Sequence, residues 1–235
     1  MWTSTTIAGR PAEVFSPPGR PRFVLLFLAD LDEVTPRDNP AWTDLFAAQR
    51  LACVCPAGAE TWWADRVYPP FDPTVSGEGY LLDAVMPWAT DLGPAGVVGV
   101  GAGGQAALKL GFKHPTRFRA VAGLGSILDA YELHGRGTAL DAMYANREQC
   151  RQDSAVLHIH PANWPPHIYF ACDPDSPWLR GNDRLHEKLA ALGVPHRTDF
   201  TTRVCGHSWT YYDALAPAVF KFLAEGLAAE SRRLV

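Results

Sequence analysis

No lysine or arginine block runs through this chain, no apolar run approaches the ~18 residues of a membrane-spanning helix, and no low-complexity tract or internal repeat interrupts it. With a formal net charge of −4, the missing basic block leaves no electrostatic footprint for nucleic acid. The missing apolar run removes the usual reason to expect a membrane partner. Met1-Trp2-Thr3-Ser4-Thr5-Thr6 has neither the basic nor the apolar region of an export signal. The five cysteines are an odd number, and Cys53 and Cys172 lie inside apolar runs, where small buried thiols are common. A reduced, cytoplasmic compartment is the expectation.

Metal spacing is also missing. Cys53-Val54-Cys55 sets two thiols on one edge of a strand, but no second pair stands at ligand distance along the chain. His158-Ile159-His160 lacks a third convergent ligand. The expectation is therefore no metal and no cofactor, with the oligomeric state left open.

What is present is an ordinary globular composition, 47% hydrophobic and 20% charged over 235 residues, which fits one α/β domain spanning 1–235. Short strands at 3–7 and 13–15 predict an opening antiparallel hairpin. The continuous apolar runs Phe23–Leu28 and Leu51–Cys55 have the length and character of strands covered on both faces. Between them, apolar residues at 42, 45, 46 and 48 predict a helix. The stretch 57–76 has proline, glycine and aromatics without a period, and reads as a long binding-type loop.

Beyond it the pattern predicts a helix over 77–88, a strand into the glycine turn, a helix to about 112 and a strand at 120–124. A helical segment near 140–146, a strand at 167–171, a helix over 182–191, a strand at 198–202 and a final helix over about 210–228 follow. Such alternation implies a mostly parallel sheet with helices on both faces. Ligands then sit outside the carboxyl ends of the strands, at segments such as Ala29–Asp32 and Arg203–Trp209.

The central stretch is Val97-Val98-Gly99-Val100-Gly101-Ala102-Gly103-Gly104-Gln105, a strand running through glycines into a helix. Glycines at 99, 101 and 104 match G-x-G-x-x-G, which lays a dinucleotide pyrophosphate on helix N-terminal amides. That makes a nucleotide-binding module one reading. Such a turn normally follows the first strand and is answered by an acid about 20 residues on, whereas here about four strands precede it and 117–125 holds no acid. The other reading is a nucleophile elbow, G-x-S-x-G, with Gly101 in the serine position. Asp173 and Asp175 after a later strand, and His207 before the last helix, complete the order nucleophile, acid, histidine.

In that order the chain resembles the esterase D and S-formylglutathione hydrolase-like esterase family, with feruloyl esterases and mycolyltransferase relatives. Leu25–Asp30 stands where the family has a strand plus His-Gly, and Trp62-Trp63-Ala64-Asp65 looks like its aromatic loop. Val98–Leu108 is similar to its elbow, followed by Lys113-His114-Pro115-Thr116-Arg117-Phe118. Gly181–His186 resembles its penultimate helix, and Cys205-Gly206-His207-Ser208-Trp209 its histidine loop. The resemblance spans nearly the whole chain. It implies an α/β-hydrolase fold, with a mostly parallel central sheet, helices on both faces and the N-terminal hairpin.

It also implies roles. Gly101 stands where a serine attacks an ester carbonyl after activation by histidine, here His207. The oxyanion-hole positions fall on Ala102 and on Asp30, within the pair Ala29-Asp30 that stands in place of the family's His-Gly. Asp30 either points inward, where a carboxylate would oppose a developing oxyanion, or outward as a loop acid. The family acid precedes a proline-aromatic pair, so the match falls on Ser176 before Pro177-Trp178, or on Asp175 or Asp173 after a shift. Trp62, Trp63, Trp178 and Trp209 are candidates to line a cleft for a small ester or sugar-like ligand, or else to pack the loops.

With the His-Gly pair altered as well as the serine, natural loss fits better than an engineered knock-out. Glycine also tolerates the strained backbone of an elbow. The leading expectation is an esterase-like pseudoenzyme that binds or scaffolds. The alternative is ester hydrolysis through a relocated nucleophile, with Cys205, Ser208, Cys172 and Ser176 on the correct sheet edge, or through water activated by His207.

Overall fold

The structure is a computed structural model that describes residues 1–233. Eight strands form one sheet in the order β1-β2-β4-β3-β5-β6-β7-β8. β1 (Trp2–Ile7) and β2 (Arg10–Phe15) make an antiparallel hairpin that joins β4 antiparallel, and every later pairing is parallel. The hairpin turn is Ala8-Gly9, both at positive φ (48° and 80°), as a two-residue turn matched to strand twist requires. The second strand therefore starts at Arg10, three residues before the expected Glu13.

β3 (Phe23–Leu28), β4 (Leu51–Pro56) and β5 (Ala95–Val100) are buried along their whole length, which explains their unbroken apolar runs. β6 (Ala120–Leu124) and β7 (His167–Ala171) continue the sheet. β8 is only Arg197–Asp199, shorter than the expected strand, because the Asp199 carboxylate accepts the amides of Thr201 and Thr202 and turns the chain.

The helices follow from local chemistry. α1 (Pro40–Gln49) starts at Asn39, whose side chain accepts the amides of Ala41 and Trp42, with proline at the first helical position. α2 (Gly77–Tyr80) and α3 (Met86–Thr90) are one expected helix divided by a π-helical turn over Leu81–Val85, just before Pro87, which has no N–H for the helical ladder. α4 is Gly101–Lys113. The single segment expected near 140–146 is instead two short helices, α5 (Ala139–Met143) and α6 (Arg147–Gln152), because Asn146 caps the second by accepting the Gln149 amide. α7 (Leu179–Ala191) and α8 (Trp209–Arg233) complete the chain.

Trp42, Phe46 and Phe220 interlock α1 with α8, with ring centroids 4.7 to 6.4 Å apart. α4 lies so close to β3 that a Cβ on Gly103 would strike the Leu28 carbonyl. This tight seat holds the first turn of α4 against the loop that follows β3.

Candidate functional site

The site begins where β5 turns into α4. Gly101 has φ +56°, in the left-handed region where a side chain is unfavourable. A Cβ added there would collide with the Asp30 carboxylate. Asp30 follows β3 on the neighbouring strand and points inward, resolving the choice left open by the sequence.

Its two oxygens have separate partners. Oδ1 accepts the backbone amides of Ala102 and of Leu31, each at 2.9 Å. Oδ2 accepts from His207 Nε2 at 2.8 Å. The side chains of Asp30 and His207 are 18% and 25% exposed, so solvent reaches both. Burial alone would raise the Asp30 pKa, but the hydrogen bonds from His207, Ala102 and Leu31, with the attraction of His207, together hold it below the ordinary carboxylate range. The first turn of α4 adds the positive end of its dipole.

The Tyr212 hydroxyl lies 3.2 Å from Nδ1 and 3.3 Å from Nε2 of the same ring. Burial, and then the charge of Asp30, push the Tyr212 pKa up, so this hydroxyl stays protonated. Tyr212 is one turn into α8, five residues past the histidine. Sequence reasoning missed it, because a tyrosine in an amphipathic helix reads as core.

The three acid candidates separate. Asp173 is fully buried and accepts the amides of Asp175 (2.8 Å), Val204 (2.7 Å) and Gly206 (3.1 Å), so it holds the backbone of the histidine loop. Burial opposes its charge, and these amides outweigh the burial and lower its pKa. Asp175 is turned outward beside Arg203 at 3.4 Å. Ser176 accepts the Trp178 amide at 3.2 Å. No hydrogen bond joins any of the three to the His207 ring among the described residues.

No protein-family model matches the chain, and no curated protein does. Solved structures match almost end to end. The substrate-bound fluorophosphonate-binding serine hydrolase F of Staphylococcus aureus superposes with a TM-score of 0.77 at 16% identity, covering 95% of this chain and 97% of that one. An S-formylglutathione hydrolase from Agrobacterium tumefaciens gives 0.75 at 15% identity (97% and 94%), and a ferulic acid esterase 0.73 at 16% (97% and 97%). The chain has the α/β-hydrolase fold.

The sequence left the four tryptophans either lining a cleft or packing the loops, and two of them are core residues. Trp63 is wholly buried in the main core. Trp62, 2% exposed, fills a second apolar cluster with Ala102, Ile127, Met143 and Tyr144, and Trp178 packs against it. Trp209 leans on Phe27 and Trp42, with centroids 6.1 and 5.6 Å away. Trp62 and Trp63 are packing residues, enclosed in the two apolar clusters, while Trp178 and Trp209 are half-buried at their margins. The backbone carries strain here: Trp62 and Trp63 both have positive φ (53° and 49°), a left-handed pair unusual for bulky residues.

Only about 10 Å³ of space remains beside Trp62 and Tyr144. A roomier cavity, about 420 Å³, is bounded by Glu13, Ala29, Glu33, Thr35, Cys55 and Ala57.

The relocated-nucleophile candidates are placed as follows. Burial pushes the Cys172 thiol up to about 11. Ser208 accepts the Tyr211 amide at the start of α8, and Cys205 is exposed at φ +54°. Their hydroxyls and thiols make no hydrogen bond to His207 among the described residues. Cys53 and Cys55 are buried with their sulfurs 3.6 Å apart. His158 bonds Asp153 and His160 accepts the Ala162 amide. Among the described residues there is no cluster of three or more metal-ligating side chains, and no helix is long and apolar enough to cross a membrane.

Proposed function

We propose that this protein is an esterase-type homologue that has lost serine-dependent ester hydrolysis and keeps its site as a surface for a small ester or sugar-like molecule. The observation that carries the reading is the Asp30 carboxylate lodged against Gly101, bonded to His207 on one side and to the Ala102 and Leu31 amides on the other. An ester carbonyl needs a nucleophile and empty oxyanion donors. Here the nucleophile position has no side chain, and a carboxylate already occupies the donors.

The same arrangement weakens the two alternatives. A water activated by His207 needs a free Nε2, which Asp30 engages. A dinucleotide pyrophosphate needs the first amides of α4, where the carboxylate would repel it. The substrate-bound state of the staphylococcal neighbour supports a small-molecule ligand in this fold.

The test is turnover of short acyl esters and labelling by a fluorophosphonate. Wild-type protein and Gly101→Ser should both fail to label, since the new hydroxymethyl group meets Asp30. Asp30→Gly combined with Gly101→Ser should label. Ester turnover by the wild type that disappears in His207→Ala would overturn the reading.

A further inference from the structure

The Asp30 carboxylate is arranged as an ester of itself would need to be for hydrolysis. Oδ1 already lies in a two-amide cradle, at 2.9 Å from both Ala102 N and Leu31 N. Those are the donors that would receive negative charge if a nucleophile added to Cγ. Oδ2 lies 2.8 Å from His207 Nε2, within reach of a group that can return a proton to a departing alkoxide. The Tyr212 hydroxyl, 3.2 Å from Nδ1 and 3.3 Å from Nε2, can donate to or accept from either ring nitrogen and so supports either imidazole tautomer. A half-buried carboxylate, 18% exposed and held by fixed donors, is a nucleophile in waiting.

We propose that Asp30 is a catalytic nucleophile toward small primary alkyl electrophiles, the alkyl halides and sulfonates, with His207 driving hydrolysis of the resulting Asp30 ester. The proposal rests on the reading that serine chemistry is gone, since only a side-chain-free Gly101 leaves room for the carboxylate.

In the first step Oδ2 attacks the carbon, a C–O bond forms, and the halide or sulfonate leaves with the bonding pair. No proton is needed, which suits a site whose nearest hydroxyl is engaged with the histidine. Alkylation removes the charge from Oδ2 and with it the acceptor of the Nε2 proton; that proton passes to solvent while Nδ1 takes one up from solvent, so the ring stays neutral and Nε2, now with a free lone pair, becomes a base. Nε2 then takes a proton from water as the hydroxide oxygen bonds to Cγ, and the oxyanion forms on Oδ1 between Leu31 N and Ala102 N. The bond from Cγ to the alkoxy oxygen breaks, the alcohol leaves with the proton from His207, and the new acid loses its proton to solvent. The sum is alkyl halide plus water giving alcohol, halide ion and a proton.

The exposed Cys205 thiol would also alkylate, so the experiment uses a Cys205→Ser background with iodoethane as the probe. The expected results are iodide release in the parent, an ethyl ester on the Asp30 peptide that accumulates in His207→Gln, and loss of both in Asp30→Asn. A single turnover in heavy-oxygen water should place the label in the Asp30 carboxylate. Thermal melts establish that each variant is folded, and Asp30→Glu serves as a second carboxylate-displacing variant if Asp30→Asn is not.

An ethyl adduct confined to other residues, or iodide release unchanged in Asp30→Asn, would overturn the proposal. Ester turnover dependent on His207 would instead overturn the reading beneath it, whatever iodoethane does.

Discussion

The Asp173 carboxylate accepts the amide of Gly206 at 3.1 Å, the residue immediately before His207, and makes no bond to the imidazole itself. The acid that follows β7 therefore fixes where the histidine loop lies, and leaves the ring to Asp30 and Tyr212. With three amides converging on one buried carboxylate, Asp173→Ala should destabilise the fold by about 3 kcal/mol or more, since hydrogen bonds to a charged group are worth ~1.5–3 kcal/mol and the orphaned donors stay buried. Urea unfolding measures it. A change below about 0.5 kcal/mol would mean that the loop is held by other contacts.

Acid should weaken the protein through both site carboxylates. Asp30 and Asp173 are held below their ordinary range in the folded state. Their contribution is thus fully present above the unfolded carboxyl value of ~3.9 and lost as pH falls through the lower folded values. Melting temperature followed from neutral pH down to about pH 2 should drop most steeply in that acid window, and the drop should be shallower in Asp30→Asn. An unchanged slope in that variant would remove Asp30 from the linkage.

Gly101→Ala should cost stability twice, once for a side chain at φ +56° and once for its collision with Asp30. The backbone part is on the order of 1–2 kcal/mol. Combining it with Asp30→Gly should recover the collision part, giving a non-additive double-mutant cycle of about 1 kcal/mol or more. Strict additivity would say that the carboxylate moves aside freely.

Lys109 is fully buried, with Nζ 3.0 Å from Asp153 and 3.8 Å from Glu78. Lys109→Met removes the cation and leaves the acids facing an apolar chain, which should cost ~3–5 kcal/mol. The denaturant midpoint reads this directly. A neutral result would show that Lys113, 2.5 Å from Glu78, takes over the compensation.

The sheet was legible because strands buried on both faces must be apolar throughout, as β3, β4 and β5 are. The two helices at 139–152 were not, because their division depends on which side chain caps a turn. At the site, the sequence could name Gly101 and His207 as candidates, but the direction of Asp30 depends on the neighbouring strand and could not be read along the chain. The tryptophans were left open for a related reason: an aromatic loop looks the same in sequence whether its rings line a space or fill it.

The fit of Asp30 against Gly101 also couples the two positions. A side chain at 101 meets the carboxylate while it is there, and removal of the carboxylate alone leaves a hole with no nucleophile. Installing serine chemistry at this turn thus demands two coordinated substitutions, neither of which suffices by itself.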